Sequence, residues 1–229
     1  MLIAEDLLLL LTEDRTGKLL APASQIDIAL GGALLVELVL ERRVDVTEGH
    51  GGQRKGRLVV TDASPTSDRL LDEALAILAA QQGKKPRAAL APLGKGLRQR
   101  LHARLAEQGL LRERHGRILG IIPTHRWPAG DTAHEDLVRA PLLEALRTGS
   151  TADPRAGAIV ALLHALRAVG KVIDPAAAGV TSKELKASAE RIADGDWASQ
   201  AVREAIDQAL AAVIAATSSS TSVVVSGGR

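Results

Sequence analysis

Residues 94–128 read GKGLRQRLHARLAEQGLLRERHGRILGIIPTHRWP, and two kinds of structure meet in them. Leu97, Leu101 and Leu105 recur every four residues, so they form an apolar stripe on a helix that Gly109 can close as a C-cap. Lys95, Arg98 and His102 fall at i, i+3 and i+7, on a shared face beside that stripe. Beyond Gly109, Arg112, Arg114 and Arg117 crowd an expected turn. The aliphatic run ILGIIP follows, with Ile118, Leu119, Ile121 and Ile122, and Trp127 closes the segment. A helix followed by a basic and apolar hairpin suits two surfaces: nucleic acid, as the wing of a winged helix, or a membrane.

On the N-terminal side of this segment, residues 4–12 predict a short apolar helix ended by the turn signal Arg15-Thr16-Gly17. Ser24 can cap a second helix that continues through ALGGALLVELVLERR to about Arg43. Gly31 and Gly32 within it are poor helix formers, and their presence predicts close approach by another element. Residues 44–47 and 57–61 read as short strands around the loop EGHGGQRKG, a first hairpin carrying Arg54, Lys55 and Arg57. Pro65 to Asp68 then supply the start signal of a helix reaching about Gln82.

C-terminal to the segment, Asp153-Pro154 is a cap and first-turn pair for RAGAIVALLHALRAVG, whose His164 reads as a hydrogen-bonded core histidine. Thr181 and Glu184 have capping-box spacing. A last helix is expected from about Asp196 to Ala216, with Trp197 near its start. TSSSTSVVVSGGR, residues 217–229, reads as a low-complexity, disordered tail. The fold class is therefore mainly α: one helical domain over residues 1–216, built around a central helical bundle with one or two short β-hairpins.

The 229 residues suffice for one substantial core, filled by Leu, Ala, Val and Ile because Phe and Tyr are absent and Met occurs once. The net charge of +2 leaves any electrostatic partner to local patches. Arg outnumbers Lys and Ala is abundant, as in GC-rich bacterial genomes. The absence of cysteine excludes disulfides and thiolate chemistry. Glu5 and Asp6 ahead of the leucine run argue against a signal peptide, and Glu37, His164 and Arg167 interrupt the two longest apolar stretches, so a cytoplasmic location is expected.

Catalytic motifs fail on specific residues. His134-Glu135 opens like a zinc-protease helix, but Val138 stands where the second histidine must project. EGHGGQRKG lacks the register of a phosphate-binding P-loop. There is no G-x-S-x-G elbow, and the six histidines show no metal-ligand spacing. A binding protein without catalytic residues, cofactor or metal is the expectation.

With these segments laid out, the chain resembles the Golgi phosphoprotein 3 family. The resemblance runs through EDLLLLLTEDRTG, GGALLVELVLERRV, PTSDRLLDEAL, RLHARLAEQGLL, the PTH after the hairpin and DPRAGAIVALLHAL. It implies a mainly helical domain with a projecting hairpin used for membrane insertion and self-association, and a peripheral membrane protein that binds phosphatidylinositol 4-phosphate. The eukaryotic headgroup pocket combines a tryptophan and an arginine around the second helix with two basic residues three apart before the hairpin. Lys95 and Arg98 match the second pair, while Pro22 and Gly31 stand at the tryptophan and arginine positions. The resemblance thus implies anionic phospholipid, at a membrane surface, as the partner of Lys95, Arg98 and the hairpin, with homo-oligomerisation through the hairpin. A winged-helix-like nucleic-acid binder and an oligomerising scaffold are the alternatives. Gln99 is the main base-reading side chain the helix offers, which disfavours nucleic acid.

Overall fold

The computed structural model describes residues 1–47, 54–118, 122–194, 210–211 and 213–215. Its helices are α1 (Ile3–Leu10), α2 (Ala23–Leu40), α3 (Arg69–Ala80), α4 (Arg87–Gly94), α5 (Leu97–Glu107), α6 (Ala133–Thr148), α7 (Pro154–Ala165), α8 (Val169–Val172) and α9 (Ser182–Ala193). Two antiparallel hairpins interrupt them: β1 (Val44–Val46) with β2 (Leu58–Val60), and β3 (Arg114–Ile118) with β4 (Ile122–Arg126). The mainly helical class read from the sequence is the observed one. Residues 210–211 and 213–215 are helical, while most of the expected last helix, with Trp197, and residues 217–229 lie outside the described residues.

Helix α2 is mostly apolar and is buried accordingly at Ile26 and from Ala29 through Val39. Its length and mean hydropathy of 1.6 would let it cross a bilayer, but 67% of it is buried inside the protein, as in a core helix. Ser24 does not cap it: the N-cap position is Pro22, and Ser24 lies in the first turn. The two glycines do mark close approaches, Gly31 by α4 and Gly32 by Val213. A Cβ at Gly31 would lie 2.5 Å from the Leu90 carbonyl oxygen, and one at Gly94 would lie 2.1 Å from that of Asp27, so α2 and α4 touch backbone to backbone.

Where a start signal was specific, the helix starts there. Asp68 accepts from Leu70 N at 2.8 Å, Asp153 accepts from Arg155 N at 2.9 Å, and Thr181 with Glu184 closes a capping box. Helices α4, α6 and α8 carry no such signal in the sequence reading, and α4 and α6 each contain a proline, Pro92 and Pro141. His164 is a correction. It is half-buried and lines a surface cavity instead of bonding within the core.

Buried ionic groups tie the helices together at the N-terminus. Arg155, opening α7, donates to Asp6 at 2.6 and 3.2 Å, to Glu37 at 3.1 Å and to the Met1 carbonyl at 2.7 Å. Glu37 also accepts from Ile3 N, and burial raises its pKa against these stabilising contacts. His134 Nε2 lies 2.8 Å from Asp6, so α6 joins the same cluster.

The second hairpin is fixed at its base. Ahead of β3, Arg112 N donates to the Pro128 carbonyl at 2.9 Å and Leu111 bridges Ala129, while Ala129 N donates to Asp14 at 2.8 Å. Gly17, at φ +64, leaves no room for a Cβ against the Trp127 and Pro128 backbone. Trp127 itself stacks on His102 of α5, with ring centroids 4.8 Å apart and planes at 13°. Its role is the packing of the hairpin base on the body. Burial, with the Arg98 charge as a second cause, pushes the His102 pKa down to about 4, so this stack uses the neutral ring.

Two tests follow from this packing. Gly94→Ala should lose about 3 kcal/mol in urea unfolding through overpacking, whereas Gly170→Ala, which meets nothing within 4 Å, should change stability by less than about 0.5 kcal/mol. For His102 the folded pKa lies below the unfolded value of 6.5, so the unfolded chain takes the proton first. Relative to His102→Gln, the wild type should lose up to about 3 kcal/mol as pH falls from about 6.5 to about 4, with no loss above that range. Parallel pH profiles of the two proteins would remove the assignment.

Candidate functional site

The expected headgroup pair is not built on one helix. Lys95 is the C-cap of α4 in extended conformation, and Gly96, at φ 69, separates it from α5, which begins at Leu97. The i, i+3 spacing across that break therefore has no helical meaning. A glycine on either side of Lys95 is what ends one helix and begins another.

Arg98 sits on α5 and faces α2. Its Nε donates to Asp27 Oδ1 at 2.8 Å, with side chains 19% and 35% exposed. Lys95 is exposed and makes no ion pair among the described residues. Lys95, Arg98 and Asp27 together carry one net positive charge, and the neighbouring His102 is neutral. Gly31, which the resemblance set at the arginine position, is closed by α4, and Pro22, which it set at the tryptophan position, is the N-cap of α2. An arginine at position 31 would collide with the Leu90 carbonyl unless α4 moved. Asp27 is the residue the sequence reading missed, because nothing local in the sequence signals that it meets Arg98, 71 residues on.

The other arginines of α5 are also committed to carboxylates. Arg100 Nη2 lies 2.6 Å from Glu73 of α3. Arg104 grips Asp68 through two bonds of 3.0 and 2.6 Å, and its Nε lies 2.9 Å from buried Glu5. The Arg104 guanidinium holds the Asp68 carboxyl below the usual carboxylate range, with the Leu70 amide adding to the effect. A helix whose three arginines are paired within the molecule offers little to a nucleic-acid backbone.

The hairpin presents the opposite case. Its register pairs Arg114 with Arg126, His115 with His125, Gly116 with Thr124, Arg117 with Pro123 and Ile118 with Ile122. The arginines therefore do not cluster at the turn, as the sequence reading had them. Arg112 precedes β3, Arg114 and Arg117 lie along it, and Ile118 and Ile122 form the last pair, at the end away from Arg114. Leu119 and Ile121 lie outside the described residues; Arg117, Ile118 and Ile122 are placed by their backbone register. Arg112 and Arg114 are exposed, Arg126 is half-exposed, and none of the three makes an ion pair among the described residues. Like charges directly opposite across an antiparallel pair repel, and an external anion relieves that repulsion.

The first hairpin carries Arg54 and Lys55 exposed and Arg57 half-buried, at the end of the β1–β2 pair away from α2. Among the described residues no group of three or more acidic, histidine or cysteine side chains could hold a metal ion.

Comparison with known proteins adds to this picture. Vacuolar protein sorting-associated protein 74 of Eremothecium gossypii is 29% identical over 165 residues, covering 63% of this chain and 48% of that protein. The chain thus matches about half the length of that relative. The family description Golgi phosphoprotein 3 (GPP34) matches residues 3–209, from the start of α1 to beyond α9, and takes in both hairpins and the glycine contact of α2 with α4. The chain belongs to the Golgi phosphoprotein 3 family.

Proposed function

We propose that this protein is a non-enzymatic peripheral adaptor that adsorbs on anionic phospholipid through Arg112, Arg114, Arg117 and Arg126 of the second hairpin, with Lys95 and Arg98 as a weaker headgroup contact. The observation that carries this reading is the Arg114–Arg126 couple, which holds no carboxylate among the described residues, on a hairpin anchored to the body. Phosphatidylinositol 4-phosphate is one lipid such a surface binds. The Asp27–Arg98 pair and the closed position at Gly31 support general anionic adsorption over selection of the 4-phosphate.

The magnitudes call for a second contribution. Each arginine near an anionic surface contributes about 1 kcal/mol, so four give an affinity near the millimolar range. Ile118, Leu119, Ile121 and Ile122 supply it, either by entering the interface or by pairing with a second copy, whose avidity needs no new contact. A peripheral location on the cytoplasmic face follows from this reading, with a homo-oligomer where the hairpin pairs with a second copy, and the name of the fungal relative fits an adaptor in protein sorting. The scaffold alternative keeps the apolar end of the hairpin as a purely protein contact.

Flotation with vesicles of phosphatidylglycerol, phosphatidylinositol or phosphatidylinositol 4-phosphate, at low and physiological salt, tests it. Salt-sensitive binding of similar strength to all three is expected, lost in Arg112→Gln/Arg114→Gln/Arg126→Gln with unchanged helical circular dichroism. Asp27→Asn, which frees Arg98, should strengthen binding about fivefold. Undiminished flotation of the triple variant would overturn the hairpin assignment. Concentration-dependent sedimentation without flotation would establish the scaffold.

A further inference from the structure

A cleft of about 290 Å³ lies at the first hairpin, away from the surface described above, and Arg54, Arg57 and Gln82 line it. Its frame is stiff. Thr47 N donates to the Arg57 carbonyl at 2.9 Å, and Arg57 N donates back to Thr47 Oγ1 at 3.0 Å. The Thr47 hydroxyl donates to the Arg54 carbonyl at 2.5 Å, which fixes the turn between the two arginines. On the other side β2 is extended by the turn after α3: Gly83 N donates to the Leu58 carbonyl and Leu58 N to the Lys84 carbonyl, both at 2.9 Å.

The polar inventory of this cleft is unbalanced. Arg57 Nε is buried and has no hydrogen-bond acceptor. A buried charged donor without a partner is costly, and native structures normally satisfy it. Among the described residues, no acidic side chain lines the cleft. Lys84 and Lys85 follow directly from its Gly83 wall, both exposed and without an ion pair among the described residues, while Asp45, opposite Val59, is the acidic residue of the same strand face.

We propose that this cleft is a phosphate-binding site for a phosphomonoester dianion or inorganic phosphate. After a small outward rotation, the Arg57 guanidinium presents Nε–H and a terminal N–H to two phosphate oxygens, the side-on fork that suits this anion. Arg54 supplies the second charge, and the Gln82 amide donates from the opposite wall. The site is independent of the hairpin reading, since none of Arg112, Arg114 and Arg126 takes part in it.

Thermal unfolding of the full chain in rising inorganic phosphate, against chloride at matched ionic strength, is the experiment. The wild type should rise in Tm with phosphate and not with chloride, because a ligand held by the folded state stabilises it by mass action. Arg57→Met should unfold at the same or a higher temperature without phosphate, since an unsatisfied buried donor is removed. It should need about tenfold more phosphate or beyond for the same rise. Arg54→Gln, an exposed position, should also weaken the rise and carries the test if Arg57→Met fails to fold. Equal rises in phosphate and chloride, or an undiminished phosphate response in both variants, would overturn the proposal. Vesicles containing phosphatidic acid, compared with phosphatidylglycerol, separate the sources. A preference for phosphatidic acid lost in Arg57→Met identifies a lipid phosphomonoester, and flotation unaffected by the variant identifies a soluble phosphate. A triple hairpin variant that no longer floats but keeps its phosphate response leaves this site standing while the adsorption surface falls.

Discussion

The backbone contact between α2 and α4 sets the geometry of everything around Lys95 and Arg98. Two glycines, Gly31 and Gly94, let the helices approach to a distance at which a single methyl group on either would meet a carbonyl oxygen. That approach costs helix propensity twice, and it is favourable only because it seats the apolar side of α4, Ala89, Leu90 and Leu93, against the buried α2. It also aligns the first turn of α2 with the end of α4. Asp27, whose carbonyl abuts Gly94, thereby reaches Arg98 in the first turn of α5. The same contact that completes the core places a carboxylate where a phosphate would otherwise meet the arginine.

Buried charge follows a consistent logic at the other end of the bundle. Asp6 and Glu37 are removed from water, and removal of a carboxylate is expensive unless its partners are in place. Arg155 supplies three acceptors' worth of donors at once, and it can do so because the Asp153 cap fixes the first turn of α7. The raised pKa of Glu37 shows that burial outweighs these partners there. Such a cluster adds little net stability over apolar packing, but breaking one member leaves the others uncompensated. It therefore fixes the relative placement of α1, α2, α6 and α7 more than it strengthens them.

Elements that the sequence made legible are those with local causes. The capping residues Asp68, Asp153 and Thr181 start their helices, and the alternation around the two hairpins yields four short strands. The glycine pair of α2 could be read as a close approach, although not its partner. What was hidden has tertiary causes. Helix α4 contains Pro92 and is held by the bundle, so its periodicity carried no start signal, and Lys95 consequently looked like part of α5. Glu5 and Asp6 looked like polar interruptions of a leucine run, yet they are among the most buried residues of the chain. The hairpin register likewise depends on which residues pair, and it moved the arginines from the turn to the strands.

The arginines of this protein divide by whether the fold has already neutralised them. Arg43, Arg98, Arg100, Arg104, Arg139 and Arg155 each hold a carboxylate of the same chain, and these lie on or against the helical body. Arg112, Arg114 and Arg126 hold none among the described residues, and they lie together at the base of a hairpin fixed by the His102–Trp127 stack. A small net charge of +2 is compatible with strong local attraction only if the positive excess is segregated in this way. Paired arginines build the platform, and on the proposed reading the hairpin's arginines are the ones left for an external anion. The cation count alone, or its position in sequence, could not make that distinction; it depends on where the carboxylates of other helices arrive.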